Sequence, residues 1–126
     1  TLIETDLKAD LSPQQIDGVT LDARFAIYRV TQEALNNIEK HSRATRATIK
    51  VSYISGLLVI SVEDNGVGFQ KSAGRASRGM RNIVARAAEI GATVHWHEAT
   101  AFATGTAVTI SLLVDAVPAT QIVREL

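Results

Sequence analysis

Apolar residues recur along this chain at two different periods, and the changes of period mark out its elements. From Thr1 to Leu11 the alternation is weak (Leu2, Glu4, Leu7, Lys8) and predicts an edge strand. Ser12-Pro13 through Gly18-Val19 reads as a connecting segment. From Thr20, a hydroxyl N-cap with Asp22 in the first turn, the residues Ala23, Ile27, Val30, Ala34, Leu35 and Ile38 follow helical spacing and predict one long helix ending near His41-Ser42. Ile49, Val51 and Tyr53 then alternate within Arg46 to Ser55. After a Ser55-Gly56 turn, Leu57 to Glu63 is apolar and β-branched, so the two runs predict a hairpin. Asn65 to Ser77 carries Gly66, Gly68 and Gly74 without an apolar period and predicts a loop. Met80, Ile83, Val84 and Ala87 predict a second helix, stopped by Gly91. Thr93 to Glu98 and Gly105 to Val114 are two more alternating runs, joined by a short turn. The tail after Asp115 has no strong pattern.

Strand, helix, strand pair, loop, helix, strand pair is the order of a two-layer α/β sandwich, with helices on one face of a mixed, mostly antiparallel sheet. The 126 residues suffice for one domain, expected to span 1–126. Thirteen basic residues balance thirteen acidic ones, so no net charge draws the chain to nucleic acid or a membrane surface. It has no cysteine, which excludes disulfides and thiolate metal sites and suits a reducing cytoplasm. No apolar run approaches the roughly 20 residues that span a bilayer. Opening on Thr1 in a strand-like pattern, the chain is expected to be a piece of a longer protein.

The chemistry concentrates in Asp64-Asn65-Gly66-Val67-Gly68-Phe69. Period 2 puts Leu58, Ile60, Val62 and Asp64 on one strand face, assigned to the core. A carboxylate there needs a donor, which an adenine amine would supply and guanine, with an acceptor at that position, would not. The glycines let the backbone approach a flat base. The plain alternative, a β-turn signature alone, does not account for the second glycine, Phe69 and the long loop that follows. On the first helix, Glu33 and Asn37 are four apart and share a face that Lys40 and His41 extend by a turn. An amide oxygen from Asn37 can hold Mg²⁺, and Lys40 can neutralise phosphate; a solvated helical face is the alternative. Between Asp64 and Glu89 there is no acidic residue, while Lys71, Arg75, Arg78, Arg81 and Arg86 are basic, a set that suits a triphosphate or forms an exposed basic face, to which Arg86 is assigned.

These residues resemble the ATP-binding domain shared by histidine kinases, gyrase and MutL, of the Bergerat type, and the resemblance covers almost the whole chain. Tyr28 to Asn37 with Lys40-His41-Ser42 is similar to the N-box of the sensor kinases that pair with NarL-type response regulators. Asp64 to Phe69 resembles the first glycine box. Ser77-Arg78-Gly79-Met80, with Arg86-Ala87 beyond, resembles the second glycine region, Ser77 standing for its first glycine and Met80 for its leucine. Gly105-Thr106 with Val108 and Ile110 resembles the closing strand, whose threonine assists the adenine-reading aspartate.

The resemblance implies ATP and Mg²⁺ as cofactors. It implies Asn37 as the Mg²⁺ ligand and Asp64 as the adenine reader. Gly66, Gly68 and Gly79 become points of backbone approach, with Lys40, His41, Arg78, Met80 and Thr106 completing the ATP site. Glu33 stands where gyrase-like ATPases activate water, and is expected to act here as a weak base or a Mg²⁺-water contact. The implied function is phosphoryl transfer from Mg-ATP to a histidine on a separate, dimeric helical hairpin of a homodimeric parent, with or without a membrane anchor, with a response regulator downstream and the domain itself cytoplasmic. An anti-sigma-type serine kinase and a non-catalytic nucleotide sensor are the alternatives. His41, His95 and His97 are not expected to accept the phosphoryl group: the first belongs to the N-box, and the others share a solvent face opposite Val94 and Trp96.

Overall fold

The structure, a computed structural model, describes residues 3–41, 43–68 and 78–114. Its elements are β1 (Glu4–Asp10), α1 (Pro13–Asp17), α2 (Leu21–His41), β2 (Arg46–Ile54), β3 (Leu57–Asp64), α3 (Arg78–Glu89), β4 (Thr93–Glu98) and β5 (Thr106–Leu113). The five strands form one sheet in the order β1-β2-β3-β5-β4. β1 runs parallel to β2, and every other neighbouring pair is antiparallel.

Alternation decides the two faces. Leu58, Ile60 and Val62 of β3 and Val108, Ile110 and Leu112 of β5 form the core with Val30, Ala34 and Ile38 of α2 and Ile83 of α3, so both long helices cover the same face. Ala23, Ala26 and Ala34 are the small residues that let α2 lie close on its neighbours. The expected sandwich and its strand runs are therefore present. Thr20 caps α2 through a bond from the Ala23 amide to its hydroxyl (3.1 Å). α3 stops where expected, the amides of Gly91 and Ala92 returning to the carbonyls of Ala88 and Ala87.

Two expectations need correction. The segment from Ser12 to Val19 is more than a connection: Pro13 opens the short helix α1, and Ser12 and Gln15 form a reciprocal capping box. Val84, part of the apolar spacing that predicts α3, is 48% exposed, whereas Ile83 and Ala87 are fully buried; the buried stripe of α3 is one residue narrower than its apolar pattern. The expected short turn between β4 and β5 is the seven residues 99–105, closed by the Ala99 amide on the Gly105 carbonyl (3.0 Å). The expected loop beyond Gly68, with Phe69, Lys71, Gly74, Arg75 and Ser77, lies outside the described residues, as do Ser42, the tail from Asp115, and the side chains of His41 and Arg78. No helix among the described residues is long and apolar enough to cross a membrane.

Candidate nucleotide site

Asp64 ends β3 on the helix-covered face, as expected, with only 2% of its surface exposed. It is not without partners, contrary to the expectation that only a purine amine would satisfy it. Its Oδ1 accepts the Gly66 amide at 2.7 Å, and the Thr106 amide also bonds the carboxylate. Burial pushes the Asp64 carboxyl above the ordinary aspartate range, outweighing those two amides, and the neighbouring Glu63 charge pushes in the same direction. An ionised carboxylate has about four lone-pair positions, so two amides leave it able to accept a further donor.

Gly105 brings the closing strand onto this residue. Its φ is +133°, and a Cβ built on it would overlap the Asp64 carbonyl oxygen and lie 2.7 Å from the carbonyl carbon. Thr106, half-buried, shares the face of Val108 and Ile110, as its position predicted, and its amide rather than its hydroxyl is what reaches Asp64. Gly68 sits beside the same turn, the nearest atom to its would-be Cβ being the Gly105 carbonyl oxygen at 3.9 Å.

The second cluster forms where α3 begins. Gly79, in the first turn of α3, is buried against the α2 face that carries Glu33 and Asn37. A Cβ on Gly79 would fall on Asn37 Oδ1, with Asn37 Nδ2 and Glu33 Oε1 each at 2.8 Å. The N-box and the second glycine region, 42 residues apart from Asn37 to Gly79 (79 less 37), are thus in contact. The start of a helix carries the positive end of its dipole, which favours anionic oxygens. Lys40 is exposed and Met80 half-buried; Arg81 is exposed, and Arg86, assigned to an exposed face, is half-buried.

Two residues were missed as structural parts of the site. Asn65, read as a turn residue, is a clamp: its Oδ1 accepts the amides of Thr45 and Arg46, both at 2.9 Å, and its Nδ2 donates to the Thr45 hydroxyl (3.1 Å). This ties the segment after α2 to the loop after β3. The pairing of Ala47 with Asp64 puts Asn65 across from Arg46, so a correct hairpin register was the signal available. Glu63, read as a strand residue, is nearly as buried as Asp64. Burial works to raise its carboxyl, but the amides of Ala101 and Thr100, the Thr100 hydroxyl and Lys50 outweigh it and hold the group below the ordinary glutamate range. His95 and His97 stack at 5.5 Å on the open face of the sheet, His97 Nε2 lying 2.9 Å from the Thr109 hydroxyl. A 640 Å³ cavity lined in part by Gly18, Val19, Ala23, Ile90, Leu112 and Val114 includes none of the expected site residues.

A family model described as histidine kinase-, DNA gyrase B-, and HSP90-like ATPase matches residues 22–116, a span containing both clusters. The chain belongs to this ATPase family. Within it, the chain is 38% identical over 76 residues to the sensor histidine kinase MctS of Rhizobium johnstonii, a match covering 57% of this chain and 16% of that protein. It is 39% identical over 70 residues to the sensor protein VraS of Staphylococcus aureus strain COL, covering 55% and 20%. The chain therefore spans a fifth or less of these two sensor proteins. The blue-light activated histidine kinase of Erythrobacter litoralis shares the fold, with a TM-score of 0.73 and 24% identity over 90% of this chain and 36% of that one. ATP is the nucleotide that membership of the ATPase family implies.

Proposed function

We propose that residues 1–126 are the ATP-binding catalytic domain of a sensor histidine kinase, handing the γ-phosphoryl group of Mg-ATP to a histidine on a separate dimeric helical hairpin. The observation that carries this reading is the buried Asp64 carboxylate, held between the amides of Gly66 and Thr106 on the same side of the sheet as Glu33 and Asn37. Asp64 accepts the adenine amine. Asn37, gathered with Glu33 over Gly79, offers a hard oxygen donor that fits Mg²⁺. Among the described residues no three His, Cys, Asp or Glu side chains form a metal cage, and Mg²⁺ needs none when phosphate and water complete its shell. Bound there, the ion neutralises phosphate charge.

The protein's own part is positioning and electrostatics, since phosphoryl transfer asks for little covalent help. The α3 N-terminus and Lys40 receive phosphate oxygens; Gly66 and Gly68 let the backbone approach the nucleotide; His41, Arg78 and Met80 complete the set by resemblance. Glu33 would serve as a weak base or as a contact to water held by Mg²⁺, since driving hydrolysis would waste ATP. The exposed stripe Leu21, Phe25 and Tyr28 on α2 supports docking of a helical partner. A homodimeric parent, a response regulator downstream and a cytoplasmic position belong to the same reading.

The domain is expected to bind Mg-ATP with micromolar-to-millimolar affinity, to prefer ATP to GTP and not to label itself. Calorimetry with both nucleotides checks the first two points, and γ-labelled ATP with the acceptor hairpin added in trans checks the third. Labelled hairpin supports the kinase. Intact binding without labelling turns the reading to a nucleotide sensor.

Gly79→Ala separates the site from the fold. The clashing atoms are ends of side chains, which can swing away, and alanine gains up to about 1 kcal/mol of helix propensity over glycine. Thermal stability is therefore expected to hold while Mg-ATP affinity falls about tenfold, because Asn37 and Glu33 are displaced. Unchanged affinity by calorimetry would remove this cluster from the site.

A further inference from the structure

Successive strand residues face opposite sides of a sheet, so Glu63 and Asp64 send their carboxylates to opposite faces. Asp64 enters the helix-covered side. Glu63 enters the open side, where a carboxylate is ordinarily solvated, yet it is only 3% exposed. The β4–β5 turn covers it. Glu63 Oε1 accepts the amides of Thr100 (2.6 Å) and Ala101 (3.0 Å), and Oε2 accepts the Thr100 hydroxyl (3.1 Å). Charge-assisted bonds of this kind are stronger than neutral ones. The residue opposite on β2, Thr48, does not compete for the carboxylate: its buried hydroxyl has no hydrogen-bond partner among the described residues.

The other end of the same turn belongs to Asp64. Gly105 rests on the Asp64 backbone, the Thr106 amide bonds the Asp64 carboxylate, and the Ala99–Gly105 bond closes the loop between them. Two adjacent carboxylates thus grip one seven-residue turn from the two faces of the sheet, Glu63 near its start and Asp64 at its end.

We propose that Glu63 is a positioning residue for purine recognition: by holding residues 100–101 from the open face, it fixes Gly105 and Thr106 against Asp64 and so sets the orientation in which Asp64 meets the base. This rests on the reading of Asp64 as the purine-facing carboxylate. Glu63 does not touch the nucleotide; its effect passes through the turn.

The test compares ATP and GTP affinities by calorimetry on the full chain for wild type, Glu63→Ala, Glu63→Asp, Glu63→Gln and Asp64→Asn. Glu63→Ala is expected to weaken ATP about tenfold and GTP by less than about twofold, shrinking the preference. Glu63→Asp keeps the charge but draws the carboxylate back by one C–C bond, about 1.5 Å, and is expected to shrink it too. It carries the test should the alanine variant not fold. Glu63→Gln keeps an oxygen acceptor for the two amides and is expected to restore most of the preference. Mere destabilisation scales both affinities alike, so the ratio distinguishes positioning from general support. A ratio unchanged in Glu63→Asp, with ATP affinity still lowered on the order of a hundredfold in Asp64→Asn, overturns this inference alone. No ATP binding by wild type defeats the reading of Asp64 and this inference with it.

Discussion

Gly105→Ala is expected to destabilise the fold by about 3 kcal/mol and to take nucleotide binding with it. The backbone at Gly105 has φ +133°, a region that residues with a side chain rarely enter. The added Cβ would also occupy the place of the Asp64 carbonyl oxygen, 2.7 Å from its carbon and 3.1 Å from Asn65 Cα. Those atoms are backbone at the end of a strand paired on both sides, so no rotamer change relieves the overlap. Gly79 is the contrast, since there the neighbours are side-chain ends. Relief at position 105 must come from the start of β5, which would stretch the Ala99–Gly105 bond and pull the Thr106 amide from Asp64. Urea denaturation followed by circular dichroism checks this. A lower midpoint at unchanged slope is expected, and coincident curves for the two proteins would contradict the close approach.

What the sequence made legible, and what it hid, divides by the range of the interactions. The strands and long helices rest on local periodicity, and Thr20, Gly91 and the Ser55-Gly56 turn act within a few residues. The α1 helix was local too, but its Ser12-Pro13 start reads equally as a turn, and only the reciprocal Ser12–Gln15 bonds distinguish the two. Asp64 was legible as inward-facing because parity along one strand is a local property. Its two amides were not equally so: Gly66 is two residues on, whereas Thr106 arrives only through the pairing of β3 with β5. Glu63 and Asn65 were hidden for the same reason. Each flanks the conspicuous aspartate, but their partners lie 37–38 residues after the one and 19–20 residues before the other. Val84 went astray because apolar character alone does not tell how wide a stripe the neighbouring elements cover.

Asp64→Asn is expected to lower ATP affinity on the order of a hundredfold while leaving the nucleotide-free protein at least as stable as wild type at pH 7. The binding loss follows from replacing an acceptor-only carboxylate with an amide that has one oxygen and turns a donor towards other donors. The stability follows from the direction of the pKa shift. Burial, and to a lesser degree the Glu63 charge, raise the Asp64 carboxyl against the pull of the Gly66 and Thr106 amides. A carboxyl raised on folding binds its proton more tightly in the folded state, so its ionisation costs the fold. That cost is absent below the unfolded value of about 3.9 and present in full above the folded one. Asparagine carries no charge at any pH, so its advantage over aspartate should be widest near neutrality and fade as pH falls towards about 4. Melting curves at both pH values, with calorimetry at pH 7, read the two effects separately. A variant that loses stability in step with binding would make Asp64 an anchor for its two amides rather than the group that meets the base. One that binds ATP undiminished would take it out of the site. Retained stability with lost binding is the combination expected of a carboxylate kept buried, at a cost to the fold, for a ligand.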